Sequence, residues 1–189
     1  MKKTSVSILA VLFLSIAGYA AVTALYSAGA TQTSNNHHVP SNKNQPYAGY
    51  QERTIKALSK EEMDSLAKGK GAGYALAGEL NHYPGPKHVM DFAVELNLTK
   101  SQMENFKKQN PIMDEEAKVL GAELLRLEEE LDQQFRKGTI TEQKLADLTS
   151  EISAVEGKLR YTHLKYHLQT KNIMNEEMIN KYDELRGYK

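Results

Sequence analysis

Downstream of Thr99 the apolar residues fall in a rhythm. Phe106, Met113, Ala117, Leu120, Leu124, Leu127 and Leu131 recur at steps of three and four, with Asn110 as the one polar member, and that alternation lines one face of an α-helix as a coiled-coil seam. A second run, Leu145, Leu148, Ile152, Val155, Leu159, Thr162 and Tyr166, keeps the same alternation after Gly138 and a capping Thr139 or Thr141. Two seams joined by so short a turn fold back on each other. The predicted fold is therefore all-α, a long antiparallel helical hairpin with short flanking helices. Pro111 is expected to bend or interrupt the first long helix, because it removes an amide and crowds the preceding turn. Without a break, Lys100 to Lys137 would run ~57 Å. One seam per helix leaves little to bury it, so a homodimer is expected.

Start signals mark three helices. Ser59 with Glu62 forms a capping box flanked by a Leu58/Met63 staple, and Thr99 with Gln102 repeats it with Leu98 and Met103. At Met174-Asn175-Glu176-Glu177-Met178 the cap is sound, but the third position is Met and returns no hydrogen bond. Upstream, Gly73 to Asn81 and Lys87 to Asn97 read as two shorter helices broken by Tyr83-Pro84-Gly85-Pro86.

The apolar pattern at the N-terminus is of another kind. Lys2 and Lys3 precede Val6 to Ala17, and small residues follow at Ala17-Gly18-Tyr19-Ala20 and Ala28-Gly29-Ala30, as in a secretory signal with two candidate cleavage points. The twenty uncharged residues Val6 to Leu25 are also about long enough to span a bilayer. Residues 1–30 thus read as a signal peptide or an N-terminal membrane anchor. Residues 31–57 read as a polar linker, and 58–189 as the helical domain. Either way the helical part is expected to face an extracytoplasmic space, for which a bacterial periplasm is the simplest setting.

Composition narrows the function. The 189 residues hold 24 Lys plus Arg against 24 Asp plus Glu, enough chain for one modest domain and no basic excess for nucleic acid. The absence of Cys excludes disulfides, thiolate catalysis and cysteine-based zinc sites. No serine, histidine and aspartate arrangement carries the turns a nucleophile needs. Gly69-Lys70-Gly71-Ala72-Gly73 lacks both the preceding strand and the spacing of a phosphate loop. Glu128 to Glu130 form a solvated face beside the seam. The chain is not expected to be an enzyme.

Leu98-Thr99-Lys100-Ser101-Gln102 matches the LTxxQ motif. With the export segment, the hairpin and the degenerate copy at Met174 to Met178, the region from Lys87 to Tyr188 resembles the Spy/CpxP family of periplasmic stress chaperones and zinc resistance-associated proteins. The resemblance implies a dimer of bent hairpins forming a curved cradle. It also implies ATP-independent binding of unfolded or misfolded envelope proteins, with metal sensing or buffering in some members. The motif residues Leu98, Thr99, Gln102 and Met103 carry no catalytic chemistry; they start a helix at a fixed angle.

His163 and His167 stand one turn apart on one helical face. Neutral imidazoles at that spacing chelate zinc, copper or nickel once other ligands complete the shell. Projected on the helix, they fall between the seam and a second apolar sector of Tyr161, Leu164 and Leu168, at the border of the core. Glu79, His82 and His88 are candidate partners. The competing reading is a border pair bonded to a neighbouring helix. His37 and His38 are weaker metal candidates in the linker. No cofactor is required on this reading beyond an optional divalent metal such as zinc.

Overall fold

The computed structural model describes residues 45–189. The expected signal or anchor (1–30) and linker residues 31–44, with His37 and His38, lie outside the described residues. Among the described residues all regular secondary structure is helical. Six α-helices follow a 3-10 turn at Tyr50–Glu52: α1 (Lys60–Ala67), α2 (Leu76–Glu79), α3 (Pro86–Asp91), α4 (Lys100–Arg136), α5 (Glu142–Ile173) and α6 (Glu176–Arg186).

The two long helices pack together as the seams predict. Lys144 pairs with Glu130 at 2.7 Å near the turn and Lys165 with Glu116 at 2.8 Å farther away, so the order of partners reverses and the pair is antiparallel. Gly138 takes a left-handed φ of 65° after α4, and the Thr141 hydroxyl accepts from the Lys144 amide to start α5. Leu124, Leu127, Leu148, Ile152 and Leu159 are buried with Ala117 in one apolar core, which Leu66 of α1 completes. Leu145, expected in the seam, is exposed.

Pro111 does not interrupt α4, which runs unbroken for 37 residues. Pro111 and Lys107, whose carbonyl loses its amide partner, are both exposed, so water can serve that carbonyl. The two upstream helices are shorter than expected. Ala72 and Gly73 hold positive φ before α2, His82 does so after it, and Asn97 (φ 50°) closes the turns after α3.

At Gly121 the contact of α1 with α4 leaves no room for a side chain. A Cβ on Gly121 would lie 2.2 Å from the Leu66 carbonyl oxygen, so the two backbones meet where α4 is bare. Ahead of α1, Ile55 is buried, the Lys56 amide donates to Asp132 Oδ1 at 3.3 Å, and Arg136 donates to the Thr54 carbonyl at 3.1 Å. The chain thus joins the hairpin a few residues before position 58.

At the open end of the hairpin a second core gathers Val89, Leu96, Leu98, Phe106, Met174 and Tyr182. No described helix is long and apolar enough to cross a membrane.

Candidate functional site

Thr99 and Gln102 form the predicted capping box. The Thr99 hydroxyl accepts from the Gln102 amide at 3.2 Å, and the Thr99 amide donates to Gln102 Oε1 at 2.9 Å. Leu98 and Met103 both pack into the open-end core. Gln102 has a second task that the motif alone conceals: its Nε2 donates to the Ile173 carbonyl at 2.9 Å and contacts Met178 Sδ at 3.7 Å. One amide side chain thus starts α4 and also satisfies an orphan carbonyl at the end of α5. Asn175 caps α6 through the Met178 amide at 2.8 Å.

His163 and His167 are not border residues. They are 3% and 8% exposed, because α2, α3 and the segment before α2 cover that face of α5. Of the expected outer sector, Tyr161 and Leu168 point to solvent. The imidazoles line a cavity of about 510 Å³ with Lys70, Met113, Asp114, His88 and Glu79. His167 Nδ1 donates to the Tyr83 carbonyl at 2.8 Å, which leaves Nε2 as the free nitrogen of the neutral ring. His163 Nε2 is buried with no partner. Burial, then His167, holds the His163 imidazole below its ordinary 6.5, with Asp114 acting in the opposite sense. Burial lowers His167 as well, against the pull of the Tyr83 carbonyl and Glu79.

Of the three candidate partners, Glu79 and His88 reach the cavity and His82 does not. His82 Nδ1 lies 2.6 Å from Asp183 Oδ2, tying the corner before α3 to α6. His88 Nδ1 stands 3.3 Å from Asp91. Glu79 Oε2 is 3.6 Å from His167 Nδ1, but the carboxylate is engaged elsewhere. Its Oε1 accepts from the Tyr182 hydroxyl at 2.5 Å and the Tyr188 hydroxyl at 3.0 Å, and Arg186 Nε lies 3.3 Å away. Oε2 accepts from the Gly85 amide at 3.0 Å. Burial, then the bond to Glu79, pushes the Tyr182 phenol well up. Among the described residues no three His, Asp or Glu side chains gather as a metal-binding group. The Glu79 cluster and the His82–Asp183 pair fasten α6 to the α2–α3 segment across about a hundred residues of sequence, and no local pattern announces them.

Pro111, Ile112, Val119, Leu120, Tyr161 and Thr162 line a second, open groove between α4 and α5, of about 840 Å³, edged by Glu115, Glu116, Lys158 and Lys165. Ile112, Val119 and Tyr161 are 54%, 62% and 66% exposed. The Glu116 edge is fixed, since Lys165 and the Tyr166 hydroxyl both bond to it, at 2.8 and 3.2 Å. Such a surface offers apolar contact with charge of both signs close by.

Compared with known proteins, the chain matches no protein family, no curated protein and no solved structure.

Proposed function

We propose that this chain is an exported, non-enzymatic stress protein of the bacterial periplasm that holds unfolding envelope proteins without ATP, as a dimer of hairpins. The observation that carries the reading is the open groove at Ile112, Val119 and Tyr161. Large apolar side chains standing free on a helical face mark a surface used for binding. The charges beside them favour weak, sequence-tolerant contact with an extended chain. The LTxxQ resemblance and the export-like N-terminus point the same way.

The test follows light scattering of a chemically denatured client diluted into buffer with equimolar protein and no ATP. Suppression is expected for the natural sequence and its loss for the Val119→Asp, Tyr161→Asp double variant, whose exposed sites leave the core intact. No suppression by the natural sequence overturns the reading; full suppression by the double variant moves the client surface elsewhere.

A second reading, periplasmic metal sensing or buffering, is favoured by one feature: the Nε2 of buried His163 has no hydrogen-bond partner among the described residues. Calorimetry of the tag-free protein with zinc, copper and nickel tests it. Binding unchanged in a His163→Ala, His167→Ala variant would exclude this pair.

A further inference from the structure

Small residues crowd the segment that covers α5. Gly69, Gly71, Ala72, Gly73 and Ala75 fall within seven residues, with Lys70 and Tyr74 as the long side chains between them. Tyr74 packs against the first core. The backbone therefore passes over His163 with little to fill the space beneath: a Cβ on Gly71 would stand 3.9 Å from His163 Nδ1, an ordinary contact. The cavity of about 510 Å³ is what this leaves, within the range of about 300 to 1,000 Å³ that holds small organic ligands.

The walls are apolar at Ala75, Leu76, Pro86 and Met113, and three cations, Lys70, Lys87 and Arg186, face two carboxylates. Both carboxylates are taken. Lys87 Nζ lies 2.9 and 2.8 Å from the two oxygens of Asp114. Glu79 accepts from Tyr182, Tyr188 and the Gly85 amide, with Arg186 Nε 3.3 Å away. Lys70, exposed at the rim, is the surplus charge.

The two imidazoles differ in what they offer. His167 donates from Nδ1 to the Tyr83 carbonyl, and its Nε2 faces Gly85, where a Cβ would stand 3.1 Å away. His163 Nε2 is sealed without a partner among the described residues, whereas Nδ1 is turned to the Gly71 wall. A neutral ring so placed carries its proton on the nitrogen that can reach an acceptor, since a buried N–H left unpaired is costly. His163 thus presents Nδ1–H to the cavity.

We propose that this cavity binds a small organic monocarboxylate, its apolar body against Leu76, Pro86 and Met113 and its carboxylate accepting from His163 Nδ1–H and the Lys70 ammonium. Charge-assisted bonds of this kind are short and strong. One surplus cation matches one negative charge. A second acidic group would meet Asp114 or Glu79, and a cationic ligand would meet Lys70 with no carboxylate to spare. Metal binding by the same histidines needs ring lone pairs, whereas the carboxylate needs one N–H and no metal. The site shares no residue with the groove at Ile112, Val119 and Tyr161, so the inference stands whether or not the chaperone reading holds.

Calorimetry of the full chain, stripped of metal and titrated with phenylacetate, tests the site. Saturable binding with a Kd of about 1 mM or tighter is expected. Phenethylammonium, a body of similar shape with the opposite charge, should bind at least about tenfold more weakly. Lys70→Glu, at an exposed side chain, should weaken phenylacetate by about tenfold or more. Lys68→Glu, an exposed lysine outside the cavity, should change it by less than about twofold. In NMR spectra of the natural protein the His163 ring signals should move in step with saturation. The proposal is overturned by the absence of saturable binding, by equal affinity for phenethylammonium, by equal losses in the two lysine variants, by binding that requires added zinc, or by saturation that leaves His163 unmoved.

Discussion

The turn end of the hairpin is held by apolar packing, and the open end by apolar packing together with a buried polar network. Near the turn, Leu124, Leu127, Leu148, Ile152 and Leu159 interlock as aliphatic seam residues, with short-range ion pairs such as Arg126 with Glu123 and Glu130 on the outside. Toward the open end the seam positions become Thr162, Tyr166 and Thr170, flanked by His163 and His167, all buried, and the second apolar core is joined by hydrogen bonds of Glu79 with Tyr182, Tyr188 and Gly85 and of Gln102 with the Ile173 carbonyl. Aliphatic packing is non-directional and tolerates small shifts. A buried polar network depends on every partner being in place. Both ends bury an apolar core, but only the open end adds a polar network, and that network determines how the α2–α3 segment and α6 dock.

Four substitutions break or sharpen that contrast. Leu127→Ala, in the aliphatic core, should cost about 3 to 4 kcal/mol of unfolding free energy in denaturant titration and weaken both ends together, because the hairpin is shared. Glu79→Gln should cost about 2 kcal/mol. It keeps an acceptor for the tyrosines but removes the charge beside Arg186 and turns a donor toward the Gly85 amide. Its signature is faster hydrogen exchange in α2 and α6 with α4 near Leu127 unchanged. Gln102→Glu should cost about 1.5 kcal/mol, since it retains the capping acceptor yet sets a carboxylate against the Ile173 carbonyl. Thr99→Ala should cost about 1 kcal/mol, read as a small loss in melting temperature with the fold intact. A Gln102→Glu variant no weaker than Thr99→Ala would show that the link to Ile173 contributes nothing.

The same contrast decides what could be read in advance. Both seams, the turn at Gly138 and the caps at Ser59, Thr99, Thr141 and Asn175 were legible, because each depends on residues within a turn or two of one another. The interruption allowed for at Pro111 does not occur, because its effect depends on which side of α4 meets water. The burial of His163 and His167 was hidden because the covering segment comes from far upstream, and helical projection sees only one helix. The pairings of Glu79 with Tyr182 and of His82 with Asp183 join positions 103 and 101 apart, beyond any local pattern. Glu79 was nonetheless reachable as a carboxylate near the histidines; its tyrosine partners were not.

Gly121 was silent in the sequence, where a glycine within a helix reads as a small loss of propensity. Its contact with Leu66 makes it a register mark. Sliding α1 along α4 by a turn would press the Leu66 backbone against a residue bearing a side chain, so α1 has one seat on that helix. The segment ahead of it, with Ile55 and Lys56, reaches Asp132 only while α1 occupies that seat. A single missing methyl group thereby sets where the first described stretch of chain can lie, and a label attached at a cysteine replacing Gly121 would report the displacement of α1 directly.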